Sequence, residues 1–180
     1  MTIFYTTSFY GKEKYQESYD LVLDAIRQTG AEIISPETNN YLELLTARQK
    51  KVFTTPEAQH YQAIKKGIRQ ADAVVIEISH QDFQIGWEAS LACLNKKPVL
   101  CLSLHEDFST KISHPYFHAT KYSPMTIDNI IEVFVARTKP GLYNQRFNFF
   151  LSEKQLAQLR TQANALNLSP SQYVRQLIEK

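Results

Sequence analysis

Two apolar runs decide the fold, Ala73–Ile78 (AVVIEI) and Pro98–Leu104 (PVLCLSL). Each is a near-continuous series of β-branched and other apolar residues, without the regular polar alternation of a strand that has one solvated face. A strand that is buried on both faces of a parallel sheet has this pattern. We therefore predict that both runs are central strands of a parallel sheet, joined by a helix over Ile85–Leu94 (IGWEASLACL).

Further strands and helices alternate on either side of these two runs. The pattern predicts strands over 2–6, 31–35 and, at an edge, 116–120, and helices from Tyr15 to a stop at Gly30, over 41–52, from Thr55-Pro56 to Gln70, and over 126–136. This alternation predicts an α/β domain over residues 1–140, a flavodoxin-like doubly wound parallel sheet. Ligands of such sheets bind beyond the carboxyl ends of the strands, which directs attention to the loops at 7–12, 35–40 and 79–86.

Composition and charge argue against a protein that binds nucleic acid over its whole surface, a secreted protein and a membrane-spanning protein. The 180 residues suffice for one α/β core and a small appendage, and a net charge of +2 indicates that any contact with a polyanion is local. Cys93 and Cys101 lie in apolar contexts, which favours buried free thiols and a reducing cytoplasm. The first residues lack a signal-peptide pattern and no apolar run approaches about 18 residues, so we expect a cytoplasmic protein that does not span a membrane.

No pattern of a cofactor site is present in the sequence. Its five glycines form neither a GxGxxG nor a GxxxxGK[ST] motif. The histidines at 60, 105, 114 and 118 lack metal-ligand spacing, and Cys93 is predicted to be buried within its helix rather than to act as a nucleophile. We therefore expect no metal ion and no cofactor.

The run from Ala71 to Ser79 (ADAVVIEIS), followed by Gly86-Trp87-Glu88, resembles the nucleoside 2-deoxyribosyltransferase superfamily. That superfamily includes the 2'-deoxynucleoside 5'-monophosphate N-glycosidases, and its pattern is an A-D-x-V-V-x-E-x-S strand, a loop with G-x-G-[YW]-E, a helix and a P-V-L strand. Ile3–Ser8 (IFYTTS) is similar to its first strand and loop. The resemblance covers residues 1 to 135 and implies a small-molecule nucleoside or nucleotide as the binding partner.

The resemblance implies that Glu88 is the catalytic nucleophile. A carboxylate that attacks the anomeric carbon of a deoxyribosyl group forms a covalent glycosyl-enzyme, which water or another base then resolves. The preceding Gly86 would let the backbone approach the sugar closely. The alternative is that Glu88 only lies in the first turn of a helix, where a negative charge is favoured.

Four positions depart from the superfamily pattern. Asp82 stands where the glycosidases carry a phosphate-contacting serine, and a carboxylate there would repel a 5'-phosphate. Gln84 replaces the first glycine of the loop, Ile64 replaces the acidic residue that helps to protonate or hold the base, and Phe4 replaces the early tyrosine. These departures favour altered chemistry or a domain that has kept the fold without the catalysis.

Asp82 and His80 are candidate replacement acids because they share the loop before Glu88, and two neighbouring carboxylates favour keeping a proton on one of them. The alternative for Asp82 is that it caps the following helix, since aspartate is among the best N-cap residues. The other candidates for substrate contact lie in the same loops or beside the motif: Tyr5, Ser8, Tyr10, Lys12, Ser79, Gly86 and Trp87. Surface or packing roles are the alternatives for the first four.

The tail changes character after Lys139-Pro140-Gly141, which is a linker pattern. Alternating residues over 146–151 predict a half-buried strand, Ser152 with Gln155 resembles a capping box, and Ser169-Pro170 begins a second helix. The tail therefore resembles a ribbon-helix-helix module of the Arc and MetJ kind, which implies that Arg146 and Asn148 can face DNA.

One copy of residues 145–180 is too small for its own core, so we predict a homodimer through this tail, with DNA binding as a further hypothesis. The alternative is a hairpin packed on its own α/β domain. For the whole chain we predict an N-glycosidase or deoxyribosyltransferase that acts through Glu88. The competing hypothesis is a catalytically inactive, ligand-sensing DNA-binding regulator.

Overall fold

The computed structural model describes residues 1–138, 150–166 and 168–178, except for the side chains of Gln172 and Arg175. The chain divides into two compact units, Met1–Gly141 and Leu142–Lys180. The strands of the first unit are β1 (Thr2–Thr7), β2 (Glu32–Ile34), β3 (Ala73–Glu77), β4 (Val99–Ser103) and β5 (Phe117–Lys121). Its α-helices are α1 (Lys12–Gln28), α2 (Ala47–Val52), α3 (Pro56–Gln70), α4 (Phe83–Leu94) and α5 (Ile127–Thr138).

These strands form one parallel sheet in the order β2-β1-β3-β4-β5. The sequence prediction is confirmed, because β3 lies at the centre, β4 pairs beside it with Val75 opposite Leu100, and β5 lies at the edge. The α/β class and the flavodoxin-like doubly wound arrangement are likewise those predicted. Helix α1 also ends as predicted, because Gly30 adopts a left-handed φ of 72° after it.

Helices cover both faces of the sheet, and successive residues of each strand point to opposite faces. Tyr5 of β1 packs in the core that α1 and α5 cover, together with Ile26 and Ile131. Phe4, its neighbour in the sequence, packs in the opposite core, which contains Ile64 of α3 together with residues of α4. The near-continuous apolar runs therefore reflect strands that have a core on each side.

The strand order reverses between β1 and β3, which opens a crevice at their carboxyl ends. Ser8 follows β1 directly, and Asp82 lies in the loop after β3. The Ser8 hydroxyl donates a hydrogen bond to Asp82 Oδ2, which joins the two loops across the crevice. This is the edge of the sheet where the sequence predicted a site.

Two helix boundaries differ from the prediction. The expected helix over 41–52 is divided into a 3-10 helix at Asn40–Leu44 and helix α2, because Thr46 forms a capping box with Gln49 and starts a new helix there. Helix α4 begins two residues earlier than expected, since Asp82 is its N-cap and accepts a 2.9 Å hydrogen bond from the Ile85 N–H. The N-cap interpretation of Asp82 is thus confirmed.

These bounds correct two further predictions. Glu88 lies in the second turn of α4, so the alternative that it serves only as a first-turn charge is wrong. Cys93 is half-buried rather than buried, because it is near the end of α4, whereas Cys101 on β4 is buried; both are free thiols. No helix in the described ranges combines the length and the apolar character needed to cross a bilayer.

The second unit contains helices α6 (Glu153–Ala165) and α7 (Pro170–Ile178), as predicted. Ser152 and Gln155 form the expected capping box, and the Tyr173 hydroxyl donates a 3.1 Å hydrogen bond to Gln162 Oε1. Most of the predicted strand over 146–151, including Arg146 and Asn148, lies outside the described residues. Among the residues described in this unit, Ala163 alone has a buried side chain.

Candidate active site

A cavity of about 900 Å³ opens at the carboxyl edge of the sheet, with a mostly aromatic and apolar lining. It is lined by Phe9, Tyr41, Leu42, Thr54, Pro56, Glu57, Gln59, His60, Tyr61, Ile64, Phe83, Gln84, Trp87 and Glu88. A second cavity of about 350 Å³ shares four of these residues, Phe9, Tyr41, His60 and Gln84. The two cavities thus adjoin and together have the size of a small-molecule site.

Glu88 is a fully buried carboxylate at the wall of the larger cavity. Its Oε1 accepts a 2.9 Å hydrogen bond from Gln84 Nε2, one helical turn earlier on α4. Its Oε2 is buried and has no hydrogen-bond partner among the residues that the structure describes. An unsatisfied buried carboxylate oxygen costs free energy, so its position beside a cavity makes Glu88 a candidate for contact with a ligand.

Burial raises the pKa of Glu88 to about 7, because removal from water disfavours the charged form. The Gln84 and Thr6 side chains partly offset this rise, whereas the negative charge of Asp82 adds to it. A carboxylate with a raised pKa is more basic than an ordinary one and still substantially ionised near neutral pH. Both properties suit a nucleophile.

A chain of hydrogen bonds leads from Glu88 across the cavity. The Gln84 Nε2 that contacts Glu88 also lies 2.9 Å from His60 Nε2 on α3, and His60 Nδ1 lies 2.8 Å from the Tyr41 hydroxyl. The Tyr41 and His60 rings meet edge to face with centroids 5.4 Å apart. Four side chains from three different elements are therefore linked by consecutive hydrogen bonds.

Aromatic rings form the outer wall of the larger cavity. Trp87 and Tyr61 lie with ring centroids 5.0 Å apart and planes inclined by 31°. Phe9 and Phe83 also line the cavity and are 74% and 90% exposed, which is unusual for large apolar side chains. This surface suits a planar aromatic ligand, because rings stack on one another and lose apolar surface to water.

The lining of the smaller cavity has an excess of negative charge, because it contains Glu37 and Asp82 but only one lysine or arginine, Lys12. Glu37 accepts hydrogen bonds from Thr7 Oγ1 (3.1 Å) and Gln16 Nε2 (3.2 Å) and forms a 2.8 Å ion pair with Lys12. Lys12 is the one Lys or Arg in the lining, and Glu37 already neutralises it, which leaves Asp82 uncompensated. A phosphate group would meet net repulsion in this cavity.

Five of the predicted site residues line these cavities. Glu88 and Trp87 line the larger cavity, and Asp82, Tyr10 and Lys12 line the smaller one. Ser8 lies behind this lining, where its hydroxyl is bonded to Asp82.

The remaining predicted residues have structural surroundings. Tyr5 is buried in the core, where its hydroxyl donates a 2.8 Å hydrogen bond to the Tyr19 carbonyl. The Ser79 hydroxyl donates to the Glu77 carboxylate. His80 packs against the loop after β1, since a Cβ added to Gly11 would lie 2.6 Å from the His80 Cβ.

Gly86 lies in the first turn of α4, where an added Cβ would meet no atom within 4 Å. The described part of the chain therefore does not require a glycine at this position for packing.

Sequence reasoning missed Tyr41, His60, Tyr61 and Gln84 as members of the site. A topological signal was available for His60 and Tyr61, because α3 leads into β3 and so starts at the carboxyl edge of the sheet. No local signal marks Tyr41, which lies on a 3-10 helix. No cluster of three or more His, Cys, Asp or Glu side chains in the described ranges has an arrangement that could hold a metal ion.

No protein-family model and no curated protein sequence matches this chain. Solved structures do match its fold. The CMP N-glycosidase BcmB of Clostridium botulinum aligns with a TM-score of 0.50 and 12% identity, over 73% of this chain and 98% of that chain. A 2-deoxyribosyltransferase of Bacillus psychrosaccharolyticus aligns with a TM-score of 0.52 and 20% identity, over 72% and 91% respectively. The chain thus shares its α/β fold with an N-glycosidase and a deoxyribosyltransferase.

Proposed function

We propose that this protein cleaves or transfers at the N-glycosidic bond of a nucleoside, with Glu88 as the nucleophile. The observation that carries the proposal is the buried Glu88 Oε2, which has no partner among the described residues and lies at the wall of an aromatic cavity. The shared fold with an N-glycosidase and a deoxyribosyltransferase supports it.

The cavity divides naturally between the two halves of a nucleoside. The base stacks on the wall formed by Trp87 and Tyr61, since every nucleobase has a π-face. The sugar then lies toward Glu88, with its anomeric carbon within reach of the free carboxylate oxygen. Stacking of this kind contributes about 1–3 kcal/mol per base, enough to orient the substrate.

The reaction proceeds in two displacements. Glu88 forms a bond to the anomeric carbon while the carbon–nitrogen bond breaks, and the base leaves with that electron pair and takes up a proton. Water or a second base then attacks the same carbon, and the bond to Glu88 breaks and restores the carboxylate. Water gives hydrolysis and a second base gives transfer, from the same glycosyl-enzyme.

We further propose that the substrate is a nucleoside without a 5'-phosphate. Asp82 occupies the position of the phosphate-contacting serine in the glycosidases that the sequence resembles, and Lys12 is neutralised by Glu37. Wild type is expected to prefer the nucleoside over its 5'-monophosphate. Asp82→Ser keeps a good N-cap residue and is expected to lower the ratio of kcat/KM for the nucleoside to kcat/KM for its 5'-monophosphate. An unchanged preference in the variant would show that Asp82 does not exclude the phosphate.

A homodimer through residues 145–180 is also proposed. Most large apolar side chains described in the second unit are more than a third exposed: Phe150, Leu151, Leu156, Leu166, Leu177 and Ile178. Sedimentation of the full chain is expected to show a dimer that Leu177→Glu weakens. A monomer at all concentrations would contradict this proposal. DNA binding by Arg146 and Asn148 stays a prediction.

The experiment that tests the proposed function is incubation of the full chain with deoxy- and ribonucleosides and their monophosphates, with and without an acceptor base. Released base is separated by chromatography, and Glu88→Gln serves as the control. Release that disappears in the variant supports the proposal. No release from any compound, or equal release by Glu88→Gln, would overturn it.

A further inference from the structure

The proposed reaction needs a proton for the departing base, because protonation of a leaving group lowers the barrier of its departure. The chain offers no carboxylic acid at the position where the sequence resemblance places one, since Ile64 stands there and forms part of the apolar lining. Asp82, the candidate replacement acid, already accepts hydrogen bonds at both carboxylate oxygens, from the Ser8 hydroxyl and the Ile85 N–H. We therefore look for another acidic group that can face the base. Tyr41 is the buried phenol that lines both cavities, at the place where they adjoin.

The hydrogen-bond chain fixes where each proton lies. An ionised Glu88 can only accept, so Gln84 must present its amide nitrogen to it. The second hydrogen of that nitrogen then points to His60 Nε2, 2.9 Å away, which must accept. A neutral imidazole that accepts at Nε2 carries its proton at Nδ1.

His60 is suited to this neutral form. Burial lowers the pKa of His60, because removal from water disfavours its charged form. Its Nδ1–H therefore donates to the Tyr41 oxygen, 2.8 Å away. The hydroxyl hydrogen of Tyr41 is not used in this bond and is free to be donated to a ligand in the cavity.

The charge of Glu88 controls how readily Tyr41 gives up that proton. Burial and the negative charge of Glu88 raise the pKa of Tyr41 in the resting site. When Glu88 becomes bonded to the sugar it loses its charge, so the second of these causes disappears as the base departs. The His60 Nδ1–H is then in place to stabilise the phenolate that forms.

We propose, resting on the function proposed above, that Tyr41 is the catalytic acid and base of this site. As the carbon–nitrogen bond breaks, the base nitrogen keeps the electron pair and takes the proton of the Tyr41 hydroxyl. In the second step the water oxygen bonds to the anomeric carbon, the bond to Glu88 breaks, and the Tyr41 phenolate takes a proton from that water. Gln84 and His60 act as positioning residues.

The test compares Tyr41→Phe with wild type on two substrates of the same sugar, the nucleoside that wild type cleaves and a glycoside whose leaving group is 4-nitrophenolate. The first leaving group needs a proton and the second does not. Tyr41→Phe is expected to lower kcat/KM for the nucleoside by about 100-fold, the size of a general-acid contribution, and to leave the nitrophenyl glycoside nearly unchanged. Tyr116→Phe, which removes a phenol outside both cavities, is the matched control.

Other outcomes would overturn the inference. Equal loss on both substrates would mean that the Tyr41 hydroxyl positions the sugar or supports the fold, and no loss on either would mean that the proton comes from elsewhere. Retained activity on the nitrophenyl glycoside also shows that the variant is folded with Glu88 in place. If wild type cleaves neither substrate, or Glu88→Gln cleaves both as well as wild type, the proposed function fails first and the role of Tyr41 fails with it.

Discussion

Glu77 and Glu88 are both fully buried carboxylates on consecutive elements, β3 and α4, yet their surroundings are opposite. Glu77 Oε2 accepts from the Ser79 N–H at 3.1 Å, and Oε1 accepts from the Tyr122 hydroxyl at 3.0 Å and from the Ser79 hydroxyl. Glu88 Oε1 accepts a 2.9 Å hydrogen bond from Gln84, whereas its Oε2 has no partner within hydrogen-bond distance in the described structure.

The difference shows that two buried carboxylates can differ in whether one of their oxygens is left free for a further contact. Burial raises the pKa of both groups, and in Glu77 the hydrogen bonds from Ser79 and Tyr122 partly offset the rise. A carboxylate whose two oxygens are already bonded is held as a structural group. A carboxylate that keeps one oxygen unbonded at a cavity retains the capacity to react.

The largest expected effect comes from Glu88→Gln. An amide oxygen is a poor nucleophile, so kcat/KM is expected to fall by at least about 10⁴-fold, as for other nucleophile deletions. The measurement is base release from the best nucleoside. Glu77→Gln is the same change at the anchored carboxylate and is expected to retain activity; equal loss in the two variants would remove the distinction between them.

The next largest effect is a pH-dependent change in the free energy of unfolding of Glu88→Gln. The folded pKa of Glu88, about 7, lies above its unfolded value, so this group favours folding below about pH 4.5 and that contribution is lost as the pH rises through 7. Glu88→Gln removes this loss. Relative to wild type, the variant should gain about 2 to 3 kcal/mol in its free energy of unfolding between pH 5 and pH 8. The measurement is urea unfolding of both proteins at pH 5 and pH 8. If the variant and wild type differed by the same free energy of unfolding at the two pH values, the raised pKa would be contradicted.

A smaller effect tests the anchored carboxylate. Tyr122→Phe removes one of the donors to Glu77 and leaves a buried oxygen with one partner fewer, at an expected cost of about 1–3 kcal/mol of unfolding free energy. Tyr116→Phe is the control for loss of a phenol hydroxyl. Unchanged stability in Tyr122→Phe relative to this control would mean that the bonds around Glu77 do not hold it.

The smallest effect is a shift of the pH profile. Glu88 must be ionised to attack, so kcat/KM of wild type should rise with pH to a plateau above about 7. Asp82→Asn removes a negative charge that raises the pKa of Glu88 and keeps a good N-cap residue, so the rise should move to lower pH. Gln84→Met removes a hydrogen bond that lowers this pKa and should move the rise to higher pH. Shifts in the same direction would contradict this account of the site.

Much of the fold could be predicted because its signals are local. The runs around Val75 and Leu100 are almost entirely apolar, which by itself predicts strands that are buried on both faces. The N-caps Asp82 and Ser152 bond within one turn of their own helices. The division of residues 41–52 was missed although its cause, the Thr46 capping box, is also local. The partly buried state of Cys93 was missed because it depends on where α4 ends against its neighbours.

The sequence by itself determined the parallel α/β fold, because each strand and helix has a local residue pattern. It also singled out Glu88, because the Gly86-Trp87-Glu88 motif is a run of neighbouring residues. Only the tertiary structure decided that Glu77 is anchored and Glu88 is not, because the Tyr122 hydroxyl reaches Glu77 from beyond β5. It likewise decided the alignment of Tyr41, His60 and Gln84, which come from three separate elements. The physical reason is that hydrogen-bond satisfaction and desolvation are set by neighbours in space, which no local pattern of residue types specifies.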